Sequence, residues 1–139
     1  MRVLVDTNII LDFLLERAPF FIDAEALFQE IASGEIISYA TATTLTDIFY
    51  IARRHTQSIE RARQVIEITL SAMEICPVDR SALELALTST TLDFEDAVQI
   101  ACASTQSLDA IVTRDAYFST SLVPVLSVSQ VLQKLATLE

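Results

Sequence analysis

The chain has 139 residues, 52% of them hydrophobic, which suits one compact domain (residues 1–139) with a sizeable core. A formal net charge of −10 argues against tight, sequence-blind binding to a polyanion. With one glycine and three prolines the chain holds little linker and no Gly-rich phosphate loop, and no charge-free apolar run reaches the roughly 18 residues that suggest a membrane span.

Val3, Leu4 and Val5 form a short apolar, β-branched run with no basic leader before it, so a cytoplasmic protein is expected. Such a run reads as a buried parallel strand, and an acid at its carboxyl end, Asp6, points into the crevice where open α/β sheets bind ligands. The simpler reading makes Asp6 a cap of the next helix, a place Asn8 can also fill. That helix covers residues 9–16 and is stopped by Arg17-Ala18-Pro19. A second covers residues 21–32, with Ala24, Leu27, Phe28 and Ile31 at helical spacing and Ser33-Gly34 after it. Ile36, Ile37 and Tyr39 make a brief strand. Thr41 or Thr43 starts a third helix striped with Leu45, Ile48, Phe49 and Ala52, and Ser58 caps a fourth.

His55, after Arg53 and Arg54, complements the dipole at the third helix's end; Arg53, Arg54, Arg61 and Arg63 are either a local positive patch or ordinary solvated helix ends. Residues 75–78 are a weak strand in which Pro77 marks an edge or end. A helix over residues 81–87 and the polar tract 88–91 follow. Asp93 then caps a helix running to about Thr105. Residues 110–113 and 125–126 are strands, and residues 128–138 a closing helix. Cys76 and Cys102 lack metal-type spacing and read as buried free thiols. Strands alternating with helices predict an α/β fold: a central parallel sheet covered on both faces, all strand carboxyl ends on one edge.

Four aspartates fall where that edge should be. Asp6 ends the first strand and Asp115 follows residues 110–113, so both face one crevice if those strands are neighbours. Asp93, Glu95 and Asp96 have an adequate explanation in the helix dipole. Asp96, however, shares a face with Ile100 and Ala103, whereas Glu95 shares its face with Gln99 and Cys102. Asp47 is mid-helix, with Ile51 one turn on, and a partly buried acid there needs a partner. Arg54, two turns away, is the structural candidate; a divalent cation is the functional one. Clustered carboxylates repel one another, and Mg²⁺ or Mn²⁺ would turn that repulsion into a site for water and substrate phosphate.

The stretches VLVDTNIILDFLL, TATTLTDIF, LDFEDAVQIACA and AIVTRDAYF resemble, in order and spacing, the four signatures of the PIN-domain ribonucleases, above all the small VapC-like proteins of prokaryotes. The resemblance implies a single-domain α/β/α sandwich and metal-dependent endoribonuclease activity. Asp6, Asp96 and Asp115 then match the metal-binding acids, and Asp47 the acid that completes the catalytic quartet. Asn8 matches a residue hydrogen-bonded near the site, and Thr113 one that supports the metal water or the neighbouring acid. Relatives more often carry Glu at the position of Asp47, which is one methylene shorter. Asp12 reads as helix surface and Asp93 as a cap.

The resemblance also implies RNA contacts from Arg114, Arg53 and Arg54, a homodimer, and an antitoxin partner packed in an apolar groove to which Phe20 and Phe21 are candidate contributors. The rival readings are a non-catalytic PIN-like scaffold with a weakened metal site and a haloacid-dehalogenase-like phosphatase. The phosphatase fits poorly, since Asn8 stands where it needs a second Asp.

Overall fold

The computed structural model describes residues 1–91 and 93–138. In chain order the elements are β1 (Arg2–Val5), α1 (Thr7–Leu14), α2 (Phe21–Ala32), β2 (Ile37–Thr41), α3 (Ala42–Thr56) and α4 (Ile59–Ala72), then β3 (Glu74–Cys76), α5 (Arg80–Leu87), α6 (Phe94–Thr105), β4 (Ala110–Val112), β5 (Val125–Leu126) and α7 (Val128–Leu138). Side-chain caps explain where several helices begin: Asp6 accepts from the Thr7 amide, Thr41 from Thr44, Ser58 from Arg61, Asp79 from Ala82 and Asp93 from Asp96. Each such cap contributes about 1 kcal/mol to its helix. The cap of α1 is thus Asp6 rather than Asn8, which leaves α1 starting two residues earlier than its apolar periodicity suggests.

The five strands form one parallel sheet in the order β3-β2-β1-β4-β5. Strand period 2 sends alternate residues to opposite faces. Val3, Val5, Ala110 and Val112 pack with α1, α2, α3, α4 and α7, while Leu4, Ile111 and Cys76 pack with α5 and α6. The result is an α/β/α sandwich, with β3 at an edge, as Pro77 immediately after it suggested. Cys76 and Cys102 are buried free thiols, and burial raises the Cys76 thiol to about 11. Among the described residues no helix is long and apolar enough to cross a membrane.

The chain leaves β1 toward β2 on one side and later returns to β4 on the other. The crevice at the carboxyl end of β1 and β4 is therefore the switch point of the sheet, where such folds bind ligands.

Candidate active site

Val5 pairs with Val112, and the Asp6 amide donates to the Val112 carbonyl at 2.9 Å, so Asp6 leaves β1 directly beside Thr113. Its carboxylate is 8% exposed and takes three donors. The Thr7 amide (2.8 Å) and Gln99 Nε2 (3.0 Å) reach Oδ1, and the Thr113 hydroxyl (2.8 Å) reaches Oδ2. The Thr113 oxygen also accepts from the Asp115 amide at 3.0 Å, so one hydroxyl ties the two strand-end acids together. Asp115 Oδ1 in turn accepts from the Tyr117 amide at 2.9 Å.

Asp47 arrives from α3. The start of α3 is tied to the start of α1 by buried hydroxyls: Thr7 Oγ1 lies 3.0 Å from Thr44 Oγ1, which accepts from Thr41 Oγ1 at 3.0 Å. This fixes the half-buried Asp47 opposite the start of α6. Among the described residues Asp47 makes no ion pair; Arg54 is exposed on the same helix. The structural partner considered for Asp47 is absent.

Asp6, Asp47, Asp96 and Asp115 line one cavity of about 370 Å³ together with Asp93, Glu95, Thr7, Asn8, Ile51 and Gln99. Six carboxyl groups therefore face it and no lysine or arginine lines it. Among the described residues, no three acids are placed to close on one ion. Their chemistry and spacing suit a hard cation held partly through water, since Mg²⁺ keeps several waters and takes only one or two carboxylates directly.

Glu95 was not among the candidates. Its face carries Gln99 and Cys102, which looked polar, yet both are buried because α6 packs flat on the sheet. The missed signal was a glutamine one turn after an acid, on a helix whose middle residues 97–103 are all buried. Glu95 reaches the Asp47 carboxyl across the cavity.

The crowding shows in protonation. Glu95 is pushed up to about 8, first by the hydrogen bond its protonated form makes with Asp47, then by burial and by the charges of Asp47, Asp93 and Asp6. Asp96 is raised to about 6 by burial and by Asp93, Asp6 and Asp115. A carboxyl whose pKa is higher folded than unfolded binds its proton more tightly in the native state, so its contribution to stability falls as pH rises. For Asp96 the window runs from 3.8 to about 6, and for Glu95 from 4.5 to about 8. Thermal melts in chelator should show the midpoint falling by a few degrees between pH 5.5 and 8.5, with Glu95→Gln flattening the upper part of that slope. A midpoint that is level, or rises, over this range would show that the acids do not repel.

The remaining candidates lie outside this cavity. Asp12 is not on the helix surface: it is 1% exposed and bonded to two arginines. Arg17 Nε donates to Oδ1 at 2.9 Å, and Arg114 donates from Nε to Oδ2 at 2.7 Å and from Nη2 to Oδ1 at 3.3 Å. Arg17 also donates to Asn8 Oδ1 at 3.3 Å, at the cavity rim. Arg114, whose guanidinium lies 3.8 Å over the Phe20 ring, is thus engaged by Asp12. Phe20 is half exposed, and Phe21 joins a stack with Phe13 and Phe28. Arg53 and Arg54 are exposed beside Tyr50 in a groove at the turn between α3 and α4.

A family model described as PIN domain matches residues 2–116. No curated protein sequence matches the chain. Among solved structures, the fold is similar to that of VapC20 from Mycobacterium tuberculosis, described as a sarcin-ricin loop cleaving toxin (TM-score 0.70, 18% identity, covering 84% of this chain and 92% of that one). It is also similar to a chain of DNA-bound VapBC from Salmonella typhimurium (TM-score 0.67, 20% identity, 92% and 98% covered). A third similar chain belongs to a toxin-antitoxin complex from Klebsiella pneumoniae (TM-score 0.67, 20% identity, 91% and 97% covered).

Proposed function

The chain belongs to the PIN-domain family, and from that premise we propose that it is a divalent-metal-dependent endoribonuclease hydrolysing RNA phosphodiester bonds. The observation that carries the proposal is the cavity at the sheet's switch point, lined by six carboxyl groups and no basic side chain. Uncompensated, that lining opposes itself; bound Mg²⁺ or Mn²⁺ would relieve it.

Asp6, Asp96 and Asp115 are the metal-holding acids in this reading. When bound, the cation neutralises charge at the phosphate and makes water a competent nucleophile. The chain's own groups do the positioning. Thr113 and the Thr7 amide hold the Asp6 carboxylate in place, and Asn8 forms part of the rim. Asp47, which shares the cavity wall with Glu95, orients the attacking water or a second metal. Arg53 and Arg54, unpaired among the described residues, would contact the RNA backbone, and Arg114, next to Asp115 in the chain, would be the basic residue nearest the chemistry.

By likeness to the VapBC complexes, an antitoxin partner, a homodimer and a toxin role in the cytoplasm belong to the same proposal. The direct test is cleavage of single-stranded RNA by the purified protein. Activity should vanish in EDTA and return with added Mg²⁺ or Mn²⁺ but not on exchange into metal-free buffer. Arg53→Ala with Arg54→Ala should raise KM several-fold and leave kcat nearly unchanged. Calorimetry showing no Mn²⁺ binding near neutral pH would instead support a scaffold with a weakened site.

A further inference from the structure

Gln99 stands out because its two amide ends are treated so differently. The side chain is 2% exposed, in the helix that covers the sheet's switch point. Nε2 donates to Asp6 Oδ1 at 3.0 Å, which fixes the amide's orientation, since the flipped form would set oxygen against oxygen. Oε1 is buried, and no described group donates to it. Buried polar side-chain atoms are nearly always satisfied, and an unpaired one calls for an explanation.

An apolar residue of similar length, such as Met, would fill this space with no such cost, so packing does not explain a glutamine here. Thr113 and the Thr7 amide already give Asp6 two other donors, so charge compensation alone does not explain it either. Gln99 also lines the acidic cavity, and its Oε1, closed to solvent in this structure, has hydrogen-bonding capacity that the described residues leave unused.

We propose that Gln99 is a positioning residue of the metal centre: Nε2 holds Asp6, while Oε1 accepts a hydrogen bond from water that a bound cation brings into the cavity. The inference rests on the metal-dependent reading above and adds a residue to it. Partners of metal ligands of this kind orient the ligand and tune its basicity, and losing one typically weakens metal binding about 10- to 100-fold.

Gln99→Met keeps length and approximate volume and removes both functions. With folding checked by circular dichroism, calorimetry should show Mn²⁺ binding weakened about 10- to 100-fold relative to the wild type. Affinity within twofold of the wild type would overturn the assignment and leave the metal-dependent reading standing. A second measurement needs no variant. On titrating the ¹⁵N-labelled wild type with Mg²⁺, the Gln99 side-chain amide should shift with the same midpoint as the Thr7 backbone amide. If Thr7 moves and the Gln99 amide does not, Gln99 has no part in the centre. If neither moves and calorimetry shows no heat, the metal reading itself fails and takes this one with it.

Discussion

Asp6→Asn is expected to abolish RNA cleavage and leave the fold in place. The fold should survive because asparagine is isosteric and its groups can meet the same neighbours. Its oxygen can accept from the Thr7 amide and Gln99, and its NH₂ can face the Thr113 hydroxyl, which rotates to accept. What asparagine cannot supply is the negative charge that draws a cation into the cavity. The loss should be at least about a thousandfold in kcat/KM, roughly 4 kcal/mol of transition-state stabilisation. The assay is cleavage of purified single-stranded RNA with saturating Mn²⁺, run beside a thermal melt. A variant that cuts at the wild-type rate would remove Asp6 from the mechanism; one that melts far below the wild type would show that its charge is structural.

The largest stability effect should come from a residue outside the site. Asp12→Ala leaves the Arg17 and Arg114 guanidiniums without their shared partner, in a place where Asp12 is almost wholly shielded from water. Breaking a fully buried pair typically costs about 3–5 kcal/mol. Both arginines keep part of their surface in solvent, at 27% and 35%, and can rehydrate, so the cost here should be lower. About 2–3 kcal/mol is expected by urea denaturation, with the thermal midpoint falling by about 10 °C. Arg114→Ala should cost less, about 1–2 kcal/mol: Arg17 still neutralises Asp12, while the two hydrogen bonds from Arg114 to Asp12 and the stacking on Phe20 are lost. A loss below about 1 kcal/mol for Asp12→Ala would mean that the three groups separate easily. In that case Arg114 is freer to meet RNA than its contacts in the fold suggest.

Glu95 and Gln99 show how a local pattern misleads. One turn apart on α6, they look like the wet side of an amphipathic helix. The helix is exposed over its first residues, Glu95 among them, but residues 97–103 are all buried between the sheet and α5. The buried Gln99 is held by Asp6, and Glu95 at the exposed start meets Asp47 across the cavity; each partner is more than 45 residues away in the chain. Asp12 misled for the same reason. Its arginines lie five and 102 residues on, and only the second requires the fold.

Short-range chemistry decided the elements. Apolar periodicity and the capping hydroxyls and carboxylates of Thr41, Ser58 and Asp93 determine the helices near them, and alternating strands and helices determine a parallel sheet. That order also determines that Asp6 and Asp115 end their strands on one edge. Which strands are neighbours, and therefore that Asp6 stands beside Thr113, was decided by the packing of the whole sheet. The same packing brings Asp47 and Glu95 across from two helices to one cavity and sends Arg54 elsewhere. Hydrogen bonds and repulsions between carboxyl groups act over a few ångströms, and only the tertiary fold brings residues so distant in the chain within that range.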